Sequence, residues 1–318
     1  MLDALQDLNA RIDRTNLRVR NPKRSIFLCG GLISTQPTEK AVLSVRDYIY
    51  RIKQAEKRLN ATIIRAEIAQ QLYRDTTYKD LISFEEDIAR IASIVLVISE
   101  SPGSLAELGA FASEPVIRET LRIIISEAHN GAESFVRYGP IKRVENIDRE
   151  YVGIFPWRIK KSTGHVVKAS IAPHFQAIVR FMKEHTEAVP ATFSYASLPL
   201  EKAKFFDILW IISLLEAAPP GPLYDAVRLI HNDMTDPQIK NSLYALQVCR
   251  WIDTFSYSGR DYFYLPENHD PYHYAFVPGQ RLRDVPAKKL EIATEFRGAA
   301  RIGKEVLRRL QDKRSGAA

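Results

Sequence analysis

Short apolar runs alternate with helically periodic segments through the first half of the chain. Ile26–Cys29, Thr62–Arg65, Ile94–Ile98 and Leu121–Ile125 read as strands. Ile94-Val-Leu-Val-Ile98 is the clearest, an unbroken aliphatic run that stops at a polar loop. Between the runs, Ala41–Leu59, Asp80–Ala92 and Ser104–Ser113 read as helices, with Leu81, Phe84, Ile88 and Ile91 on one face of the second. Runs this apolar predict strands buried on both faces. Their alternation with helices predicts an α/β fold with a doubly wound parallel sheet. A helix over Ala169–Glu187 closes the unit.

The rhythm changes after Ala188–Pro199, a stretch with two prolines and several small residues. Lys202–Ala217, Leu223–His231 and Pro237–Trp251 read as helices, the first two separated by Pro219-Pro-Gly-Pro222. Phe255–Tyr264 reads as a hairpin around Gly259. Three helices followed by a hairpin is the order of a winged helix-turn-helix, and one long helix over Ala287–Lys313 follows. The expected organisation is a basic arm over residues 1–24, with Leu2, Leu5, Leu8 and Ile12 at helical spacing, an α/β domain over 25–190 and a mostly helical docking domain over 198–318.

The length of 318 residues fits two domains. Hydrophobic content of 46% and charged content of 26% exclude a wholly disordered, collagen-like or coiled-coil chain. Cys29 and Cys249 form neither a disulfide framework nor a cysteine zinc site, which fits a reducing cytoplasm. The most apolar stretch, Phe205–Leu215, contains Asp207 and is too short to span a bilayer, so no membrane association is expected. The N-terminus lacks the pattern of a signal peptide. The net charge of +7 is small for this length. Residues 1–24 carry +3, 201–280 carry −4 and 281–314 carry +6, so positive charge is expected at two ends that dock a nucleic-acid-containing partner.

The segment Ser99-Glu-Ser-Pro-Gly-Ser-Leu-Ala-Glu-Leu-Gly-Ala-Phe111 carries the most chemistry. It follows the best strand and opens a helix, which is where ligands bind in open α/β sheets. Ser104-Leu-Ala-Glu107 also reads as a capping box, with Ser104 at the helix start. The two roles are compatible, because a helix N-terminus favours an ionised carboxylate. Such a carboxylate can trap the oxocarbenium-like centre left when a base departs from an anomeric carbon. Glu67, after the second strand, and Glu85, on the helix before the third, are further carboxylates for ribose hydroxyls or proton transfer. Cys29, Gly30, Gly31, Ser101, Gly103 and Ser104 are expected around the substrate, the Cys29 thiol itself reading as a core group. There is no G-x-G-x-x-G fingerprint and no P-loop, which disfavours hydride-transfer chemistry. In the second half, Lys240, Asn241, Tyr244, Gln247 and Arg250 lie on the expected recognition helix, and Tyr257, Tyr262 and Tyr264 alternate along the hairpin. His269 and His273 have helical ligand spacing, but Pro271 lies between them and no metal is expected.

Phe27-Leu-Cys-Gly-Gly31, Glu100-Ser-Pro-Gly-Ser-Leu-Ala-Glu-Leu-Gly-Ala-Phe111 and Ser134-Phe-Val-Arg-Tyr-Gly-Pro-Ile141 together resemble the retron effectors with a nucleoside-deoxyribosyltransferase-like domain. The resemblance covers about residues 20–150. It implies a flavodoxin-like sheet, Glu107 as the catalytic glutamate, and N-glycosidic cleavage of NAD+ as a toxic step in anti-phage defence. NAD+ would be substrate, with no cofactor. It also implies reverse transcriptase and multicopy single-stranded DNA or RNA as partners in a higher-order oligomer or filament, with the winged helix touching the DNA. Arg65-Ala66 stands where a tyrosine-proline pair is usual, and Glu86 where a neutral amide is, departures that bear on substrate preference. Two other readings stand beside it: base exchange on deoxynucleosides through the same glutamate, and a non-enzymatic, nucleotide-sensing DNA-binding regulator.

Overall fold

The computed structural model describes residues 2–34, 41–51, 59–65, 77–267 and 269–316. The chain divides into two compact units, Lys23–Val189 and a second formed by Met1–Pro22 with Pro190–Ala318. Helix α1 (Asp3–Arg11) and strand β1 (Arg18–Arg20) belong to the second unit.

The first unit is a mixed α/β structure on a parallel sheet of five strands. Strands β2 (Ser25–Cys29), β3 (Thr62–Arg65), β4 (Ile94–Ser99), β5 (Leu121–Ser126) and β6 (Val152–Phe155) lie in the order β3-β2-β4-β5-β6. Every residue of β2, β4 and β5 is buried, as their apolar runs require. One face packs Ile26, Leu28, Leu96 and Ile98 with Ile178 and Met182 of the closing helix. Helices α2 (Val45–Tyr50), α3 (Leu81–Ile91), α4 (Pro102–Ser113) and α5 (Phe175–Glu187) accompany the sheet. The chain moves outward from β2 to β3 and then crosses back to β4, so the strand order reverses between β2 and β4.

Two expectations change here. Strand β6 was not foreseen: it is short, contains Gly153 and lies at the sheet edge, where Ile154 is exposed. Helix α5 starts at Phe175 and not at Ala169, because Pro173 lies in a separate turn between Lys168–Ile171 and the helix.

The second unit holds α6 (Leu200–Leu215), α7 (Pro220–Arg228) and α8 (Asp236–Val248). Strands β8 (Ala217–Ala218), β9 (Asp253–Tyr257) and β10 (Arg260–Tyr264) form an antiparallel sheet in the order β8-β10-β9. Ser258 and Gly259 both have positive φ, 52° and 74°, as a two-residue hairpin turn requires. The expected terminal helix is two helices, α9 (Val285–Ala299) and α10 (Lys304–Ser315). They part where Arg301 takes φ of 55° and the Ile302 N–H turns back to Arg297 O at 2.9 Å.

The expected N-terminal arm is instead part of this unit's core. Leu5, Leu8, Leu17 and Val19 are fully buried. Strand β1 pairs with β7 (Thr192–Ser194) and β11 (Tyr272–His273). The N–H groups of Asp3 and Ala4 donate to the Glu295 carboxylate at 3.0 and 3.1 Å, which caps α1 from α9. Hydrophobic spacing announced the helix, but a three-residue strand paired with residues far along the chain leaves no local trace.

Asp207 on α6 is fully buried at the centre of this unit. It accepts from Arg14 Nη1 at 2.8 Å, Tyr195 Oη at 2.7 Å and the Tyr272 hydroxyl, and meets His231 Nε2 at 2.9 Å. Burial pushes its pKa up, but His231, Arg14 and Tyr272 outweigh that and hold it below the ordinary value. Asp207→Ala leaves these groups without their acceptor, and we expect a loss of about 3 kcal/mol in urea unfolding followed by tryptophan fluorescence. The folded-state pKa lies below the unfolded value of 3.8, so between the two the unfolded chain binds more protons. The contribution is therefore present above that value and lost as pH falls through the folded one, and the gap between wild type and variant narrows on acidification. An unchanged gap in acid contradicts an ionised Asp207.

Candidate functional site

Strand β4 ends at Ser99, Glu100 follows, and α4 begins at Pro102. The helix start differs from the expected one. Ser101 is the N-cap, its Oγ accepting from the Ser104 N–H at 3.1 Å, with proline in the first turn. Ser104 is fully buried. Its hydroxyl donates to Ser101 O at 2.9 Å and accepts from the N–H groups of Glu100 and Ser101 at 3.2 and 3.0 Å. The Ser104 side chain is thus committed to the turn rather than to a ligand. The capping box is Ser101 with Ser104, so Glu107 is not its acidic member. Glu107 lies in the second turn of α4, half-buried, with its Oε2 shielded from solvent. That placement lies beyond the first turn, where a helix terminus acts most strongly.

Sequence reasoning missed the role of Glu100. Its Oε1 accepts from the N–H groups of Gly31 and Arg46 at 3.0 Å each, and its Oε2 from the N–H of Val45 at 2.7 Å. One carboxylate therefore ties the C-terminal end of β4 to the turn after β2 and to the start of α2. Burial raises its pKa, against the three N–H donors and Arg46, which lower it. The signal was a single acidic residue at the end of a nearly all-aliphatic strand, with Gly30-Gly31 after the neighbouring one. A Cβ on Gly31 would stand 2.6 Å from Ser44 Cβ and 3.2 Å from Glu100 Cδ, and one on Gly30 2.9 Å from the Arg46 side chain. The two glycines thus let Glu100 and α2 approach the turn. Ser101 Oγ and Arg46 Nη1 each donate to Gly30 O at 3.3 Å. Asp47 accepts from the N–H groups of Ser34 and Leu43 at 3.1 and 2.9 Å, which joins the backbone on either side of residues 35–40.

The other expected residues are placed as follows. Cys29 is buried in β2. Gly103 is exposed, and a Cβ there would meet nothing closer than Ser101 Oγ at 4.0 Å, so no tight approach requires it. Glu85 is buried on α3, next in sequence to Glu86 and Asp87, which pair with Arg90 at 3.1 and 3.0 Å. Glu67 lies outside the described residues. Tyr138-Gly-Pro140 lies in a wide π-type turn over Arg137–Ile141, next to exposed Phe135. Among the described residues no group of three or more His, Cys, Asp or Glu could hold a metal ion. None of their helices is long and apolar enough to cross a membrane.

Of the docking residues, Lys240, Asn241 and Tyr244 are half-exposed on α8, with Lys240 Nζ 5.8 Å from the Tyr244 ring centre. Arg250 is exposed but lies past the end of α8 in a left-handed turn at φ of 57°, so it leaves the helix face expected for it. Tyr257 is half-buried against Phe255, Tyr262 and Tyr264, with the Arg309 guanidinium 4.7 Å from its ring centre. Cross-strand packing, rather than an open stacking platform, accounts for these tyrosines.

The family model described as STM3845 retron effector protein matches residues 42–254. A relative from Escherichia coli, "Retron Ec86 putative ribosyltransferase/DNA-binding protein", is 26% identical over 135 residues, 42% of each chain. Another from Escherichia coli, "Retron Ec73 putative ribosyltransferase/DNA-binding protein", is 21% identical over 212 residues, 66% of each chain. Both matches cover less than two thirds of the relative's own length.

The clasp makes a differential prediction at two glycines. Gly31→Ala should lower stability by about 1–3 kcal/mol through overpacking. Gly103→Ala should change it by no more than about 0.5 kcal/mol. Thermal unfolding of both variants checks this, and equal tolerance at both positions contradicts the clasp.

Proposed function

The chain belongs to the STM3845 retron effector family, and from that premise we propose that it is an N-glycosidase that cleaves the nicotinamide–ribose bond of NAD+ or a related nucleotide through Glu107. The observation that carries the reading is the position of Glu107: on the helix that opens from the C-terminal end of β4, beside the reversal of strand order between β2 and β4. Ligands of open α/β sheets bind at such a reversal. The strand order also supports a flavodoxin-like, nucleoside-deoxyribosyltransferase-like reading of this unit. In the proposed step the Glu107 carboxylate attacks the anomeric carbon and forms a C–O bond. The C–N bond breaks, and its electron pair neutralises the pyridinium, so nicotinamide leaves without needing a proton. Water then displaces the carboxylate and gives up its proton to solvent or a second carboxylate, for which Glu85 and Glu67 are the candidates.

The helix, strand and hairpin order of 200–264 supports a winged-helix reading of the second unit. Its proposed role is to dock the effector, in the cytoplasm, onto a reverse transcriptase and multicopy single-stranded DNA in an assembly that holds the activity in check. Lys240, Asn241 and Tyr244 are its proposed contacts on α8.

A second reading is favoured by the relatives' names, which contain "ribosyltransferase". A base, rather than water, would then accept the ribosyl group from the same glutamate. Chromatography of NAD+ incubated with the chain, alone and with its nucleic-acid and reverse-transcriptase partners, should show free nicotinamide and ADP-ribose. A new nucleoside product would favour transfer. Glu107→Gln should slow release by about a thousandfold or more. Unchanged turnover in that variant would sink the mechanism.

A further inference from the structure

A buried cation lies near the amino-terminal end of the α/β unit's sheet, away from the turns that Glu100 fastens. Arg122 is the second residue of β5. Its Nη1 donates to Glu119 O and Leu121 O at 3.1 and 2.9 Å, and its Nε has no hydrogen-bond partner among the described residues. Its guanidinium lies 3.3 Å from the ring centre of Tyr151, in the short turn Arg149–Tyr151 that leads into β6. The next ring is His185 in the last turn of α5, edge-on to Tyr151 at 5.7 Å. Phe181, one turn earlier on α5, continues the row at 4.5 Å from His185. The row therefore joins β5, the turn before β6 and the end of α5.

His185 fastens this row to the backbone. Its Nε2 lies 2.9 Å from Glu150 O. A carbonyl oxygen only accepts, so Nε2 carries the proton and donates, and Nδ1 is the atom that takes up a second one. The charged groups that face the ring are Arg122 from β5 and Asp148 and Glu150 from the turn before β6, with Tyr151 as the other titratable side chain against it. Burial and the Arg122 cation oppose a charge on the ring. The Glu150 carbonyl and the Asp148 and Glu150 carboxylates favour one, but both residues are exposed, where water weakens their field. The balance holds the His185 pKa below its ordinary value of 6.5.

Strand β6 needs such a fastening. It is the edge of the sheet, pairs only with β5 and contains Gly153. We infer that His185 is an acid-released latch: its protonation sets a second cation against Arg122 and frees the turn over 148–151 and strand β6 from α5. Above pH 6.5 the ring is neutral in both the latched and the released forms, so acidity has no effect there. Below 6.5 the released ring takes the proton first, and release becomes easier by about tenfold for each pH unit between 6.5 and the latched value. The latch does not involve Glu107 and stands apart from the function proposed above.

The test is hydrogen–deuterium exchange of the full chain, read by mass spectrometry at about pH 7.5 and about pH 5 and corrected for the intrinsic pH dependence of exchange. Peptides over 148–155 should lose protection on acidification, while peptides over β4 keep theirs. His185→Phe, which carries no charge at any pH, should retain protection over 148–155 at both values. His185→Gln should do the same while still offering a donor to Glu150 O, so the inference stays testable if the first variant folds poorly. NMR titration, with the His185 signal assigned by its absence from a variant, should give a wild-type midpoint below 6.5 that moves upward in Arg122→Gln. Unchanged protection in wild type, or the same acid response in the His185 variants, overturns the latch. So does a wild-type midpoint at or above 6.5, or one that Arg122→Gln leaves in place. Equal loss of protection over β4 overturns it as general acid unfolding.

Discussion

One desolvated carboxylate organises the turns at the C-terminal ends of β2 and β4 in the α/β unit. Glu100 is held by three backbone N–H groups from two other segments, and no side chain can replace that pattern without leaving donors unpaired. The parallel sheet brings the ends of β2 and β4 side by side, but parallel pairing alone does not fix the turns that follow. Glu100 fixes both at once: the Gly30-Gly31 turn and the start of α2. The Ser101–Ser104 box fixes the third, the entry into α4. Glu107 is therefore positioned by backbone geometry set about two turns earlier, and the role proposed for it would require a defined distance to the reacting carbon.

The second unit rests on a different carboxylate. Asp207 gathers Arg14, Tyr195, His231 and Tyr272 from segments scattered over most of the chain. This changes the meaning of the N-terminal positive charge. Arg14 is bound to Asp207 and Arg11 to Asp7, so part of what reads as a basic arm serves internal cohesion. The cations of α10 differ: Arg308, Arg309 and Lys313 face a groove. Net charge counted along the sequence could not separate these two placements.

Much of the fold was legible where the signal is local. The runs in β2, β4 and β5 announced buried strands, Leu81 to Ile91 announced α3, and Gly259 announced the hairpin. Features made by partners distant in sequence were not legible. Strand β1 exists because Ser194 and His273 pair with Arg18. The break between α9 and α10 depends on Arg301 taking a backbone conformation that no residue type there signals. At the candidate site, the segment and Glu107 were found from the string after β4, but S-x-x-E was read as the cap when S-x-x-S three residues earlier forms it. Proline at the first helical position was the clue that favours the earlier start.

The proposed chemistry is tested most directly by its covalent intermediate. A 2′-fluoro-arabino analogue of NAD+ destabilises the oxocarbenium-like transition states and slows release of the sugar from the protein. Intact-mass analysis with peptide mapping should then find one ADP-ribosyl-type adduct on the Glu107 side chain, accompanied by stoichiometric nicotinamide. Nicotinamide release with no adduct, or an adduct on another carboxylate, would contradict Glu107 as the nucleophile.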